Sequence, residues 1–168
     1  MADIIDLIYA DHDWFRRRFL LLDGCRTDEE LAAVWGPLGD RLDAHAQAEE
    51  EIFYPVLLKK GGDGGDPEDE AEDAITDHNE IRDAVRRARG AEVGSEAWWE
   101  GVNKAREENG EHLEEEEREA LTDAVKSLSL EQRHDLAMQW LVFDAKHPGG
   151  KGADDTDKDA DDYIEENS

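Results

Sequence analysis

The sequence predicts an all-α protein: an antiparallel, up-down four-helix bundle with a pseudo-twofold internal repeat, an extra C-terminal helix and a flexible acidic tail. Three observations predict it. Asp11-His12-Asp13-Trp14-Phe15-Arg16 returns 66 residues later as Asp77-His78-Asn79-Glu80-Ile81-Arg82, and His45-x-x-x-Glu49-Glu50 returns 67 residues later as His112-x-x-x-Glu116-Glu117. Each copy lies on an apolar stripe with the 3–4 spacing of a helix. Short connections separate the stripes, which suits antiparallel neighbours, and a duplication dictates the architecture around it.

The first predicted helix runs from about Asp3 to Asp23, with Ile5, Ile8, Phe15, Phe19 and Leu22 on the same side as His12. Gly24 ends it. The second opens on the capping box Thr27-Asp-Glu-Glu30 and continues through Leu31, Val34, Leu38, Leu42, His45, Glu49, Ile52 and Val56. Gly36-Pro37 predicts a kink and Pro55 a distortion of the last turns, because proline removes a backbone donor and crowds the preceding turn. Gly61-Gly-Asp-Gly-Gly-Asp66 reads as a flexible connector, and Asp66-Pro67 as a cap followed by proline at the first helical position. The third helix carries Ile75, His78, Ile81 and Val85 on one stripe and breaks at Gly90 to Gly94. Ser95 caps the fourth, which is expected to reach about Leu128 with Val102, Ala105, Asn109, His112, Glu116, Ala120 and Leu121 inward.

Domain bounds follow. Residues 1–147 form one helical domain: a four-helix core over 1–128 and an appended helix over 129–147, opened by the capping box Ser129-Leu-Glu-Gln132 and expected to act as a lid or end-cap. Residues 148–168 form an acidic tail with only Tyr163 and Ile164 to anchor it, expected to be weakly ordered.

The chain holds 46 Asp+Glu against 19 Lys+Arg, a net charge of −27. This argues against nucleic acid or an anionic membrane as a partner, since both attract positive charge. The lone Cys25 excludes an intramolecular disulfide and fits a reducing compartment. With no signal-peptide pattern and no apolar run of about 20 residues, the expectation is a cytoplasmic protein, monomeric or a weak dimer.

On an α-helix, residues i and i+4 share a face about 6 Å apart along the axis. His45 with Glu49, and His112 with Glu116, therefore point together into the bundle, with His12 and His78 facing them from partner helices. Each half of the repeat then supplies two imidazoles and a carboxylate, a facial donor set suited to non-haem iron, although manganese and zinc also accept these ligand types. Two such sets place two metals side by side with carboxylates able to bridge them. The candidate metal ligands are His12, His45, Glu49, His78, His112 and Glu116.

These motifs, together with Phe53-Tyr54-Pro55, resemble the hemerythrin-like, or HHE cation-binding, family over roughly residues 1–125. The resemblance implies an up-down bundle around a di-iron centre of two iron ions with a bridging oxo or hydroxo group. Relatives bind O2 reversibly, sense oxygen or iron, decompose peroxide, or handle nitric oxide and damaged iron centres. Oxygen carriers of the family place a fifth histidine four residues after the third-helix histidine, where this chain has Arg82. That departure implies an extra open or water-filled position on the metal held by the third and fourth helices. It favours redox chemistry with O2, H2O2 or NO, with peroxidase-, catalase- or oxidase-like turnover, over a reversible oxygen or iron binder. A metal-free helical adaptor is the third reading, and the duplicated ligands weigh against it.

The remaining residues read more plainly. Glu50, Glu51, Glu117 and Arg118 point away from the ligand stripe and are expected in solvent. Arg16 and Arg82, each four residues after a histidine, either partner Glu49 and Glu116 or form ordinary bundle-end salt bridges. Tyr54 lies half a turn from the ligand face and reads as packing. His134 and His147 fall outside the repeat and outside the site. Asp155-x-Asp157-x-Asp159 imitates a calcium loop but has Ala160 where glycine is needed, so it reads as solvated tail.

Overall fold

The computed structural model describes residues 1–168 and is helical throughout, with no strand. Helix α1 spans Ile4–Leu22, α2 Asp28–Ala48, α3 Tyr54–Lys60, α4 Pro67–Arg89, α5 Glu96–Arg118, α6 Ala120–Ser127, α7 Leu130–Lys146 and α8 Ala160–Asn167. A π turn, Glu49–Phe53, joins α2 to α3 without a break, and a 3-10 turn, Pro148–Gly150, follows α7. No helix is long and apolar enough to cross a membrane.

The helix starts are chemically local. Asp3 accepts from the Ile5 amide, Thr27 and Glu30 form a reciprocal capping box, Asp66 accepts from Glu68 and Asp69, and Ser95 accepts from Trp98. Ser129 and Gln132 form a second capping box. Each satisfies amides that a helix start leaves orphaned, worth about 1 kcal/mol per cap. Pro37 sits inside α2 without interrupting it. Pro55 has the larger effect: its missing N–H prevents a regular turn, and the Tyr54 amide reaches five residues back to the Glu49 carbonyl. The fourth predicted helix is two, because the backbone breaks at Glu119 (φ −111°, ψ −79°).

Helix α1 runs antiparallel to α2, α2 to α4, and α4 to α5. Ile4, Ile5 and Ile8 of α1 share one apolar cluster with Ala44, Ala48 and Ile52, while Phe15, Phe19 and Leu22 share another with Leu31, Trp35, Leu38 and Leu42. Arg89 of α4 pairs with Asp43 of α2, and Arg82 of α4 with Glu50 of the π turn that continues α2. Between α4 and α5, Gly101 lies against Ala84 and Ala88, while His112 meets Asp77 and His78. A Cβ at Gly101 would sit 2.7 Å from the Ala88 amide, so that close approach requires glycine. The two apolar clusters occupy opposite ends of the molecule, and a polar layer containing all four repeat histidines separates them.

Helix α7 is a flank and not an end-cap. It lies beside α1 in the same direction: Arg133 reaches Asp3, His134 the Ala2 carbonyl, and Asp144 reaches Arg41, which also holds Asp11. Its Trp140 is fully buried edge-on against His45, with ring centroids 5.5 Å apart.

The glycine connector and the tail differ from the sequence-based expectation in the same way, because distant polar groups hold both. Buried Asp123 accepts from the amides of Gly62 and Gly64, each at 2.8 Å. The tail lies along α2 and α4. Gly150 (φ +83°) approaches the Asp40 carbonyl, Asn79 exchanges two hydrogen bonds with Lys158, Arg86 pairs with Asp157, and buried Tyr163 donates to the Glu50 carbonyl.

Candidate metal centre

The six candidate ligands meet in one layer. His12, His45, Glu49 and Glu116 offer atoms within 4.8 Å of one another, and so do Glu49, His78 and His112. All six side chains are buried, none more than 3% exposed as a residue. The groups overlap at Glu49, whose Oε1 lies 2.8 Å from His45 Nε2 and whose Oε2 lies 3.1 Å from His78 Nε2. The grouping therefore differs from the one the repeat predicts. Glu116, from the second half, faces His12 of the first at 3.1 Å, and Glu49 serves both sides.

Each of the four repeat histidines is held from behind, in a closed circuit. Asp11 contacts Nδ1 of His45 at 3.1 Å and Asp77 contacts Nδ1 of His112 at 3.3 Å. Glu50 contacts Nδ1 of His78 at 2.9 Å, and Glu117 contacts Nδ1 of His12 at 2.8 Å. In each half, the acid preceding the first histidine steadies the second, and the acid following the glutamate steadies an imidazole of the other half. An ionised carboxylate only accepts, so each Nδ1 carries the hydrogen and each Nε2 lone pair faces inward.

Three of these carboxylates are anchored by arginine: Glu117 by Arg16 at 2.8 Å, Asp11 by Arg41 at 2.7 Å and Glu50 by Arg82 at 2.9 Å. Lys158 of the tail also pairs with Glu50. Burial alone would raise the Glu50 carboxyl, but His78 and Arg82 hold it down at about 2. Glu50 and Glu117 are thus not solvated as the sequence suggests, and Arg16 and Arg82 grip them instead of Glu49 and Glu116. The duplicated motifs already contain Asp11, Asp77, Glu50 and Glu117 at matched places, which was the available signal.

Tyr54 faces inward. The π turn adds a residue to that turn of helix, so the position five after Glu49 falls on its side, and the Tyr54 hydroxyl donates to Glu116 Oε1 at 3.0 Å. The matching position in the second half is Leu121, so Tyr54 breaks the symmetry of the repeat. His134 and His147 contact backbone carbonyls far from the layer.

These donors suit a cation. His12 Nε2, His45 Nε2, Glu49 Oε1 and Glu116 Oε2 are buried and make no hydrogen bond, although the pairs lie only 2.8–3.1 Å apart. Their lone pairs converge on common space and not on each other, and uncompensated burial of this kind is costly. His78 and His112 bring Nε2 atoms to 3.2 Å with both Nδ1 hydrogens committed elsewhere. Burial opposes charge on His45 and His112, yet Glu49 and Asp11 push His45 up to about 10, and Asp77 and Glu49 do the same for His112.

Residues 3–124 match the family model described as the hemerythrin HHE cation-binding domain. The chain belongs to that family. As an HHE domain it presents the buried histidine and glutamate groups that could hold a metal. A curated DNA nickase from Nostoc sp. (strain PCC 7120) is 22% identical over 144 residues, covering 86% of this chain and 40% of that protein. The HHE chain therefore spans well under half of that relative's length. No solved structure gives a significant match.

Proposed function

We propose that this HHE domain is a non-haem di-iron protein reacting with O2, peroxide or nitric oxide, its helices forming an up-down four-helix bundle around two iron ions. The observation that carries this is the pair of overlapping donor groups sharing Glu49, with four unpaired donor atoms facing inward. His12, His45, Glu49 and Glu116 would hold one ion; His78 and His112, with Glu49 as the bridge, would hold the other. Imidazole with carboxylate is a donor set that suits iron, and bound iron would supply redox chemistry and open positions for a small ligand.

The chain's own residues do the rest. The four carboxylates behind the histidines fix each tautomer and raise its basicity. Trp140 and Phe15, both buried edge-on against His45, exclude water from that side of the first group. The Tyr54 hydroxyl keeps its proton, because burial and Glu116 hold its pKa well above the usual phenol range, and it donates that proton's hydrogen bond to Glu116. Arg82 is fully buried on Glu50, so it does not replace the fifth histidine of oxygen carriers as a donor. Three protein residues then serve the second ion against four for the first, and this supports turnover over reversible oxygen binding.

Small molecules in a cytoplasmic setting are the proposed partners. DNA nicking belongs to the Nostoc protein, and a chain of net charge −27 repels a phosphate backbone. The test is stopped-flow mixing of the reduced, iron-loaded protein with O2, beside an oxygen-electrode assay with H2O2. Rapid autoxidation and peroxide turnover are expected. A long-lived, reversible oxygenated spectrum without peroxide turnover would move the assignment to binding or sensing.

A further inference from the structure

A cleft between α4, α5 and α6 descends from the exposed carboxylates of Asp73, Glu115 and Glu119 to buried Tyr54, His112 and Glu116. Small side chains, Ala74 and Ala120, leave it open, and Asp77 lies beside His112. Acids alone would say little on so acidic a chain. Glu70, on the cleft wall, is different. It is 8% exposed, its Oε2 makes no hydrogen bond, and it forms no ion pair. Its surroundings add only negative charge: burial first, then Asp123, Glu119, Asp66 and Asp69, push its carboxyl up to about 7. A buried carboxylate without a partner is costly unless a proton or a cation joins it.

We propose that Glu70, with Glu119 and Asp73 beside it, is a transit site that takes a divalent metal ion from solvent and passes it down this cleft to the buried centre. The assignment rests on the metal-binding reading above. A layer sealed to within a few per cent of exposure needs a route for a strongly hydrated ion, and a cleft lined by one sign of charge raises the local concentration of its counter-ion. Glu70 is buried where its neighbours on the wall, Asp73, Glu115 and Glu119, are exposed, and there exchanging water ligands for carboxylate oxygens relieves its own unpaired charge. The same field disfavours anions, while neutral O2, H2O2 and NO are unaffected by it.

The experiment is stopped-flow uptake of Co2+ by the metal-free full chain, followed by the visible absorption of bound cobalt, with the final cobalt content measured separately. Glu70→Gln keeps the shape, removes the charge and relieves an unpaired buried group, so it should fold at least as well, which its melting curve checks. Uptake by Glu70→Gln is expected to slow about five- to tenfold with the same final cobalt content, as expected for loss of steering charge. Glu131→Gln, an exposed carboxylate on α7, should leave the rate unchanged. Equal rates in wild type and Glu70→Gln, or equal slowing by Glu131→Gln, would overturn the transit site while leaving the centre intact. Loss of final cobalt content in Glu70→Gln would also overturn it, by making Glu70 part of the centre itself. If the wild type takes up no cobalt, the centre falls and the transit site with it.

Discussion

The two halves of the repeat start from one motif and end in unlike surroundings. In the first half, His45 is walled by Phe15 and Trp140, and the supporting acids Glu117 and Asp11 are each held by an arginine, Arg16 half-exposed and Arg41 mostly buried. In the second half, Glu50 behind His78 is buried beneath Arg82, Lys158 and the tail, whereas Asp77 behind His112 has no basic partner but that histidine and opens onto the acidic cleft. Equal ligands therefore do not make equal sites. What surrounds them decides which side is sealed and which opens onto the cleft.

The sharpest way to break this comparison is at its shared member. Glu49→Ala removes a donor from both groups, so metal content should fall from two ions to one or fewer, whereas Glu116→Ala should spare the His78–His112 side. Elemental analysis of iron-loaded protein decides it, with His134→Ala and His147→Ala as variants that retain full content. Similar losses from Glu49→Ala and Glu116→Ala would remove the shared-bridge reading.

Next are the two arginines at equivalent places. Arg82 and Glu50 are fully buried, so Arg82→Met should destabilise by about 3–5 kcal/mol, as breaking a buried pair does. Arg16 is 45% exposed, and Arg16→Met should cost under about 1 kcal/mol. Urea unfolding at fixed metal content measures both, and equal losses would mean that the halves are alike after all. Metal removal should matter by a comparable amount: at an ion concentration 100-fold above its Kd, binding adds about 2.7 kcal/mol. For a domain of this size that is a melting-point rise of about 5–10 °C, read by calorimetry of metal-free against loaded protein.

The smallest effect concerns Glu70. Its folded pKa, about 7, lies above the ordinary carboxylate value, so the folded state binds the extra proton. The associated stability is present below about pH 4.5 and is lost as pH rises through about 7. Solvent screening at the cleft should keep it under about 1 kcal/mol. Across this range the melting temperature should fall less steeply with pH in Glu70→Gln than in the wild type, and identical slopes would remove Glu70 as a contributor.

Local chemistry was legible in the sequence. The caps at Thr27, Asp66, Ser95 and Ser129 read directly, since each is decided within three residues, and the repeat placed six side chains that the fold brings together. What stayed hidden depended on distant partners. Nothing near Lys158 or Tyr163 indicates that both end on Glu50. Nothing near Gly62 indicates Asp123. Tyr54 was misplaced because regular helical counting assumes a constant turn, and Pro55 changes the count just where it matters.

The polar layer between the two apolar clusters also bears on motion. Helices ordinarily fray from their ends, where amides exchange with solvent first. Here apolar clusters flank the layer on both sides along α1, α2 and α4, and the middle is a charged stratum whose aromatic contacts, Phe15 and Trp140, gather on His45. Stripped of metal, the molecule should breathe from its waist: deuterium should enter the backbone around His45 and His112 before it enters around Leu38 or Trp98, a gradient that reloading the ions reverses.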